Sequence, residues 1–154
     1  MNEALIRKFY TCFQQKDWQR MNACYHNDVV FSDPVFLHLK AARACAMWNM
    51  LVTSAKDLEV VFKNVVADEK TGSCDWEAEY TFSKTGRRVH NRIHAKFEFR
   101  DGKIFRHTDR FSLPSWAGMA LGLPGKLFGW TPWLQARIQA SAEASLAKFE
   151  ARKT

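Results

Sequence analysis

Residues 97–111, FEFRDGKIFRHTDRF, limit the possible folds more than any other stretch of the chain. An Asp101-Gly102 pair stands between two alternating runs, the pattern of a tight β-hairpin whose central residues need positive φ. Strand side chains alternate, so Phe97 and Phe99 are predicted to share one face, as are Phe105, His107, Asp109 and Phe111. An oily face therefore carries an imidazole and a carboxylate. Burying an unpaired charge costs several kcal/mol, so Asp109 must meet a partner, water or a ligand. A satisfied His-Asp pair inside a core would have the same spacing, and spacing alone leaves both readings open.

The strand before the turn reaches back to about Arg88. Its alternation puts Arg88, His90, Arg92, His94, Lys96 and Glu98 on one face and Val89, Asn91, Ile93, Ala95, Phe97 and Phe99 on the other. Between Lys84 and Arg110 there are nine Lys or Arg against Glu98, Asp101 and Asp109, so much of the net charge of +7 is local. A basic face could attract nucleic acid or anionic lipid. No aromatic interleaves these cations and no nucleic-acid motif is present, so the expectation is a solvated face paired with Glu77 and Glu79, with no nucleic acid as partner.

Two further strands precede these, Leu58 to Ala67 and Ser73 to Ser83, the latter with Trp76, Ala78, Tyr80 and Phe82 on one face. Before the strands come helical patterns. Residues 3–15 space Leu5, Phe9, Cys12 and Phe13 for one helix, Asp17 caps a second through Trp18, Met21 and Tyr25, and residues 40–51 form a third. A short strand, Val29 to Phe31, ends at Ser32-Asp33-Pro34, where proline cannot donate to a ladder. Helices followed by an antiparallel meander of four long strands predict an α+β domain with the helices on one face of the sheet.

The chain is 47% hydrophobic over 154 residues, enough for one domain with a sizeable core. No apolar run is long enough to span a membrane, and MNEALIRKFYTCF does not read as a secretory signal. Cys12, Cys24, Cys45 and Cys74 lie far apart without a CxxC, and a reduced, cytoplasmic protein is expected. The tail is apolar from Ser112 to Trp133 but broken by Gly118, Gly122, Pro124, Gly125 and Gly129. Thr131 then caps a helix that starts at Pro132. A lid over the core or an oligomer contact ranks ahead of a membrane-surface anchor for this tail, because its glycines and prolines deny one continuous amphipathic helix.

Asp17-Trp18, Phe31-Ser32-Asp33-Pro34, Trp76 to Phe82, and Arg100 to Ile104 followed by His107, Asp109 and Phe111 form an ordered set. This set resembles the nuclear transport factor 2-like superfamily, and within it the SnoaL-like branch related to ketosteroid isomerases, polyketide cyclases and limonene epoxide hydrolases. The likeness covers residues 3–113, giving a domain over 1–113 and a helical extension over 114–154 packed on it. It implies a cone, a bent sheet of four long strands and a short one wrapped around three helices, with a deep apolar pocket. In ketosteroid isomerases the Asp of such an Asp-Pro turn is the general base, and Asp33 stands there. Their hydroxyl and carboxyl donors fall at Phe9 and Ala95. In limonene epoxide hydrolases an Asp on the final strand activates water, the position of Asp109, whereas the Arg of their earlier strand has no counterpart in Trp76 to Tyr80. The resemblance also implies a homodimer through the outer face of the sheet.

The candidate catalytic residues are accordingly Asp33, His107 and Asp109, with Tyr80, Asn91, Trp48, Trp76 and Phe97 as candidate substrate contacts. Asp33 before a proline also suits a turn that bonds to its own backbone. Tyr80 and Asn91 are expected to orient a substrate oxygen or to satisfy each other. No cofactor is expected. Phosphate-loop, nucleophile-elbow and HExxH motifs are absent, and His107, Asp109 and Asp33 lack a recognised metal spacing. The expected activity is isomerase, cyclase or hydrolase chemistry on a small lipophilic substrate. The alternative is a module of the same fold that holds a lipophilic ligand, or assembles, without turnover.

Overall fold

The structure, a computed structural model, describes residues 1–152. Helix α1 (Asn2–Gln14) and the short α2 (Trp18–Ala23) lead into β1 (Tyr25–Ser32) and β2 (Leu39–Lys40), then α3 (Ala42–Ser54). Four strands follow: β3 (Glu59–Ala67), β4 (Thr71–Phe82), β5 (Arg87–Arg100) and β6 (Lys103–Arg110). The chain ends in α4 (Leu113–Leu121), α5 (Leu123–Phe128) and α6 (Pro132–Arg152). The strands make one curved, open sheet in the order β2-β1-β6-β5-β4-β3, antiparallel throughout except that β1 runs parallel to β6. This is the α+β cone, with the eight-residue β1 and the two-residue edge strand β2 where one short strand was expected.

Alternation builds the core. Along β5, Val89, Asn91, Ile93, Ala95 and Phe97 point inward and are buried; α1 and α3 bring Phe9, Tyr10, Phe13, Met47 and Trp48 to Ile93, Ala95 and Phe97, while Val89 packs with Leu113, Trp116, Ala117 and Ala120 of α4. On the outer face Arg88 pairs with Asp57 at 2.8 Å, His90 with Glu77 at 2.6 Å and His94 with Asp75 at 2.6 Å. The basic residues of this face are thus largely answered by carboxylates of neighbouring segments. The β5–β6 turn is the expected one, with φ of 54° at Asp101 and 73° at Gly102.

Two local expectations are corrected. Tyr25 does not belong to the second helix. The carbonyl of Cys24 accepts from the Ile104 amide at 2.9 Å, and Tyr25 opens β1 opposite Ile104. Phe105 does not share the face of His107. The pairing of β5 with β6 shifts by one residue between Glu98 and Phe99, so β6 carries a bulge at Phe105 and both Ile104 and His107 point inward. Phe105 turns outward, where the Arg100 guanidinium covers its ring at 3.7 Å.

The tail wraps the mouth of the cone. Ser112 caps α4 by accepting from Ser115 N at 3.2 Å, and Thr131 caps α6 by accepting from Leu134 N at 3.2 Å. Arg87 donates to the Met119 carbonyl at 2.9 Å and Thr85 to the Ala120 carbonyl at 2.5 Å, tying α4 to the β4–β5 turn. A Cβ on Gly125 would lie 1.9 Å from the Ala117 carbonyl oxygen, so α4 and α5 approach this closely only because residue 125 has no side chain. Arg43 on α3 reaches Glu143 and Glu150 on α6 at 2.6 and 3.0 Å. Among the described residues no helix is long and apolar enough to cross a membrane, and all four cysteines are free thiols.

Candidate active site

The bent sheet, α3 and the tail enclose a cavity of about 480 Å3. Phe31, Trp48, Trp76, Ala78 and Ile93 form its inner wall, and Trp116, Leu121, Leu134 and Ile138 of the tail form the opposite wall. From the cone, Asp33, Tyr80, Asn91 and Asp109 line this apolar space as buried or half-buried polar side chains, while Ser54, Thr81, Ser83, Lys84 and Arg137 line it as exposed ones.

Asp109 is 3% exposed and His107 beneath it is fully buried. His107 Nε2 lies 2.9 Å from Asp109 Oδ1, and Trp76 Nε1 donates to the same oxygen at 3.4 Å. On its other side His107 Nδ1 lies 2.8 Å from the Tyr25 hydroxyl, which itself accepts from Trp48 Nε1 at 2.7 Å. One assignment of hydrogens satisfies every partner: Trp48 donates to Tyr25, Tyr25 donates to Nδ1, and Nε2–H donates to Asp109. In that assignment the imidazole is fixed in one tautomer, with its Nε2–H aimed at the Asp109 carboxyl. Among the described residues Asp109 Oδ2 has no hydrogen-bond partner.

Asp33 closes the turn after β1, its Oδ1 accepting from Val35 N at 2.7 Å and Phe36 N at 2.6 Å. It is therefore both a turn aspartate and a cavity residue. Burial pushes its carboxyl up to about 7, with the charge of Asp109 adding to the effect and the two amides opposing it. A carboxyl in that range exchanges protons readily at neutral pH. Tyr80 OH accepts from Trp116 Nε1 at 2.8 Å, which leaves its own proton to donate. Burial raises its pKa, the Trp116 bond opposes this, and the nearby Asp33 adds to it, so the phenol stays protonated. Tyr80 and Asn91 do not pair with each other. The Asn91 amide is left to face the cavity.

The cavity thus brings together Asp33, Asp109, Tyr80, Asn91, Trp48 and Trp76. His107 lies one layer behind it, acting on Asp109 rather than on a ligand. Phe97 is not in the wall: its ring packs against His107 at 4.5 Å between centroids, inside the core. Sequence reasoning missed Tyr25, Trp116 and Arg137. Tyr25 is 82 residues from His107, and no local pattern reports such a contact. Trp116 carried a weak signal, since an indole N–H in an apolar segment needs an acceptor when buried. Among the described residues no group of three or more His, Cys, Asp or Glu is arranged to hold a metal ion.

A family model described as a SnoaL-like domain matches residues 6–107. The fold is similar to that of a candidate polyketide cyclase from Xanthomonas campestris pv. campestris, at 20% identity, a TM-score of 0.63, and coverage of 75% of this chain and 93% of that one. An LEH-like epoxide hydrolase from M. tuberculosis is similar at 18% identity and a TM-score of 0.62, with 80% of this chain and 92% of that one covered. A candidate hydroxylase from Streptomyces galilaeus is similar at 19% identity and a TM-score of 0.61, with 71% and 87% covered. At these identities the likeness to the three structures is one of fold. A comparison with curated protein sequences finds no match.

Proposed function

The chain belongs to the SnoaL-like domain family, and from that premise we propose that it is a cofactor-independent acid/base enzyme, an isomerase, cyclase or hydrolase, acting on a small lipophilic substrate. The observation that carries this reading is Asp109, a carboxylate 3% exposed in the wall of an apolar cavity, with one oxygen fixed by His107 and Trp76 and the other unengaged. A base in that setting is desolvated and pre-aimed, which is what abstraction of a proton from carbon or water requires. His107 is a positioning residue. Tyr80 O–H and the Asn91 amide are placed to donate to the oxygen on which negative charge develops. Asp33, carrying a proton about half of the time near neutral pH, supplies the complementary acid.

Exchange of deuterium into a panel of cyclic ketones, followed by NMR, tests the proposal. Wild type is expected to exchange at least one of them and Asp109→Asn to lose that activity. Exchange persisting in Asp109→Asn would remove Asp109 from the chemistry. The carrier reading is favoured by Phe9 and Ala95, which offer no O–H donor where related isomerases have one. It would prevail if a lipophilic ligand bound wild type and Asp109→Asn equally without turnover. We further propose that residues 1–113 form the catalytic unit with 114–154 as its covering extension, that the chain acts in the cytoplasm, and that it dimerises through the outer sheet face. Light scattering at low and high salt tests the last point, which a monomer in both conditions would defeat.

A further inference from the structure

The outer surface of the tail gathers most of the large hydrophobic side chains that stand exposed among the described residues. Leu123, Leu127, Phe128, Trp130 and Trp133 are all exposed, the two tryptophans at 70% and 63%. They fall within residues 123–133, the whole of α5 and the start of α6. Residues 111–142 contain no Asp or Glu. The charges beside the patch are Lys126, Arg137 and, beneath Gly122, Arg87, and none of the three has a carboxylate within ion-pair distance among the described residues. By contrast, most basic residues on the outer sheet face are paired. The patch is moored in the fold at both ends, because Leu121 and Leu134, which flank it, line the cavity.

We propose that this surface docks on an anionic lipid bilayer, with α5 and the first turn of α6 lying in the headgroup region. Exposed tryptophan and phenylalanine with leucines suit the boundary between headgroups and acyl chains, and unpaired cations suit anionic headgroups. A second copy of the chain is the poorer occupant. A two-fold contact would set Lys126, Arg137 and Arg87 against their own duplicates with no carboxylate to relieve them. Docked this way, the molecule presents the tail wall of its cavity to the bilayer, and a lipophilic ligand can enter from the lipid phase. That last step alone rests on the cavity being a lipophilic-ligand site; the docking stands without it.

Flotation of the full chain with phosphatidylcholine vesicles containing about 30% phosphatidylglycerol, against pure phosphatidylcholine, tests the docking. Binding is expected to the anionic vesicles, to weaken as salt rises, and to fall about tenfold or more in Trp130→Ser/Trp133→Ser. Because that variant could be questioned on folding, wild-type tryptophan fluorescence is also measured with brominated lipid, where quenching is expected from these two exposed indoles. Equal binding to both vesicle types, no binding, or no quenching would overturn the proposal. So would a dimer in solution that the double variant converts to monomer, which would make the patch a self-contact. Deuterium exchange in detergent-free solution is read separately, so loss of docking and loss of the acid/base reading are distinguishable.

Discussion

The sheet carries the same pair of residue types on its two faces, and the pair does different things on each. Outside, His94 and Asp75 approach to 2.6 Å with side chains 47% and 39% exposed. Inside, His107 and Asp109 stand 2.9 Å apart at 0% and 3%. The shorter contact is the more exposed one. Water competes for both outer partners and salt screens them, whereas the inner pair has no solvent to fall back on and must be satisfied by Tyr25, Trp48 and Trp76. What surrounds the pair, more than its length, decides whether it is a surface decoration or a tool.

Substituting one carboxylate at a time widens the contrast most. Asp109→Asn is expected to lower the rate of proton exchange by on the order of 10²–10⁴, with Asp75→Asn within about twofold of wild type, as measured by NMR exchange rates. Next comes folding stability in urea. His107→Ala strands a buried carboxylate and a buried tyrosine hydroxyl and is expected to cost about 3–5 kcal/mol, against less than about 1 kcal/mol for His94→Ala. Equal losses would erase the distinction between the faces.

The pH dependence of stability separates inside from outside by sign. The folded carboxyl of Asp33 titrates near 7, above its ordinary value of 3.8, so the unfolded chain ionises first and stability falls as pH rises from about 4 to about 7. Asp33→Asn is expected to remove that fall, on the order of 2 kcal/mol after allowance for partial exposure. Asp75 has the opposite slope. The Asn64 amide and His94 hold its carboxyl below the usual range, so its contribution is present above pH 4 and lost as pH falls through the lowered value. The smallest effect is on salt: about 1 M NaCl should erase most of the cost of His94→Ala and little of the cost of His107→Ala, by urea titration.

The β5–β6 hairpin was legible because Asp101-Gly102 and strict alternation state the turn and the faces together, and the buried placement of Phe97, His107 and Asp109 follows from them. Phe105 was misplaced because a bulge inserts one residue without leaving a local trace. Tyr25 was misplaced because its spacing from Trp18 and Met21 is helical, and only the distant partner Ile104 draws it into a strand. Asp33, Tyr80, Asn91 and Asp109 could be named from strand alternation and family likeness. That Tyr80 would bind Trp116, and that the tail would supply one side of the cavity wall, depends on tertiary packing across 36 residues or more.

The carboxyl groups of the cavity come from the cone, while Trp116, Leu121, Leu134 and Ile138, which face them, come from the tail. If the proposed chemistry holds, reactivity and selectivity are therefore inherited on different stretches of chain. Grafting on a new ending that kept Trp116, the partner of the Tyr80 hydroxyl, would retune which molecules are admitted and leave the two carboxyl groups as they were.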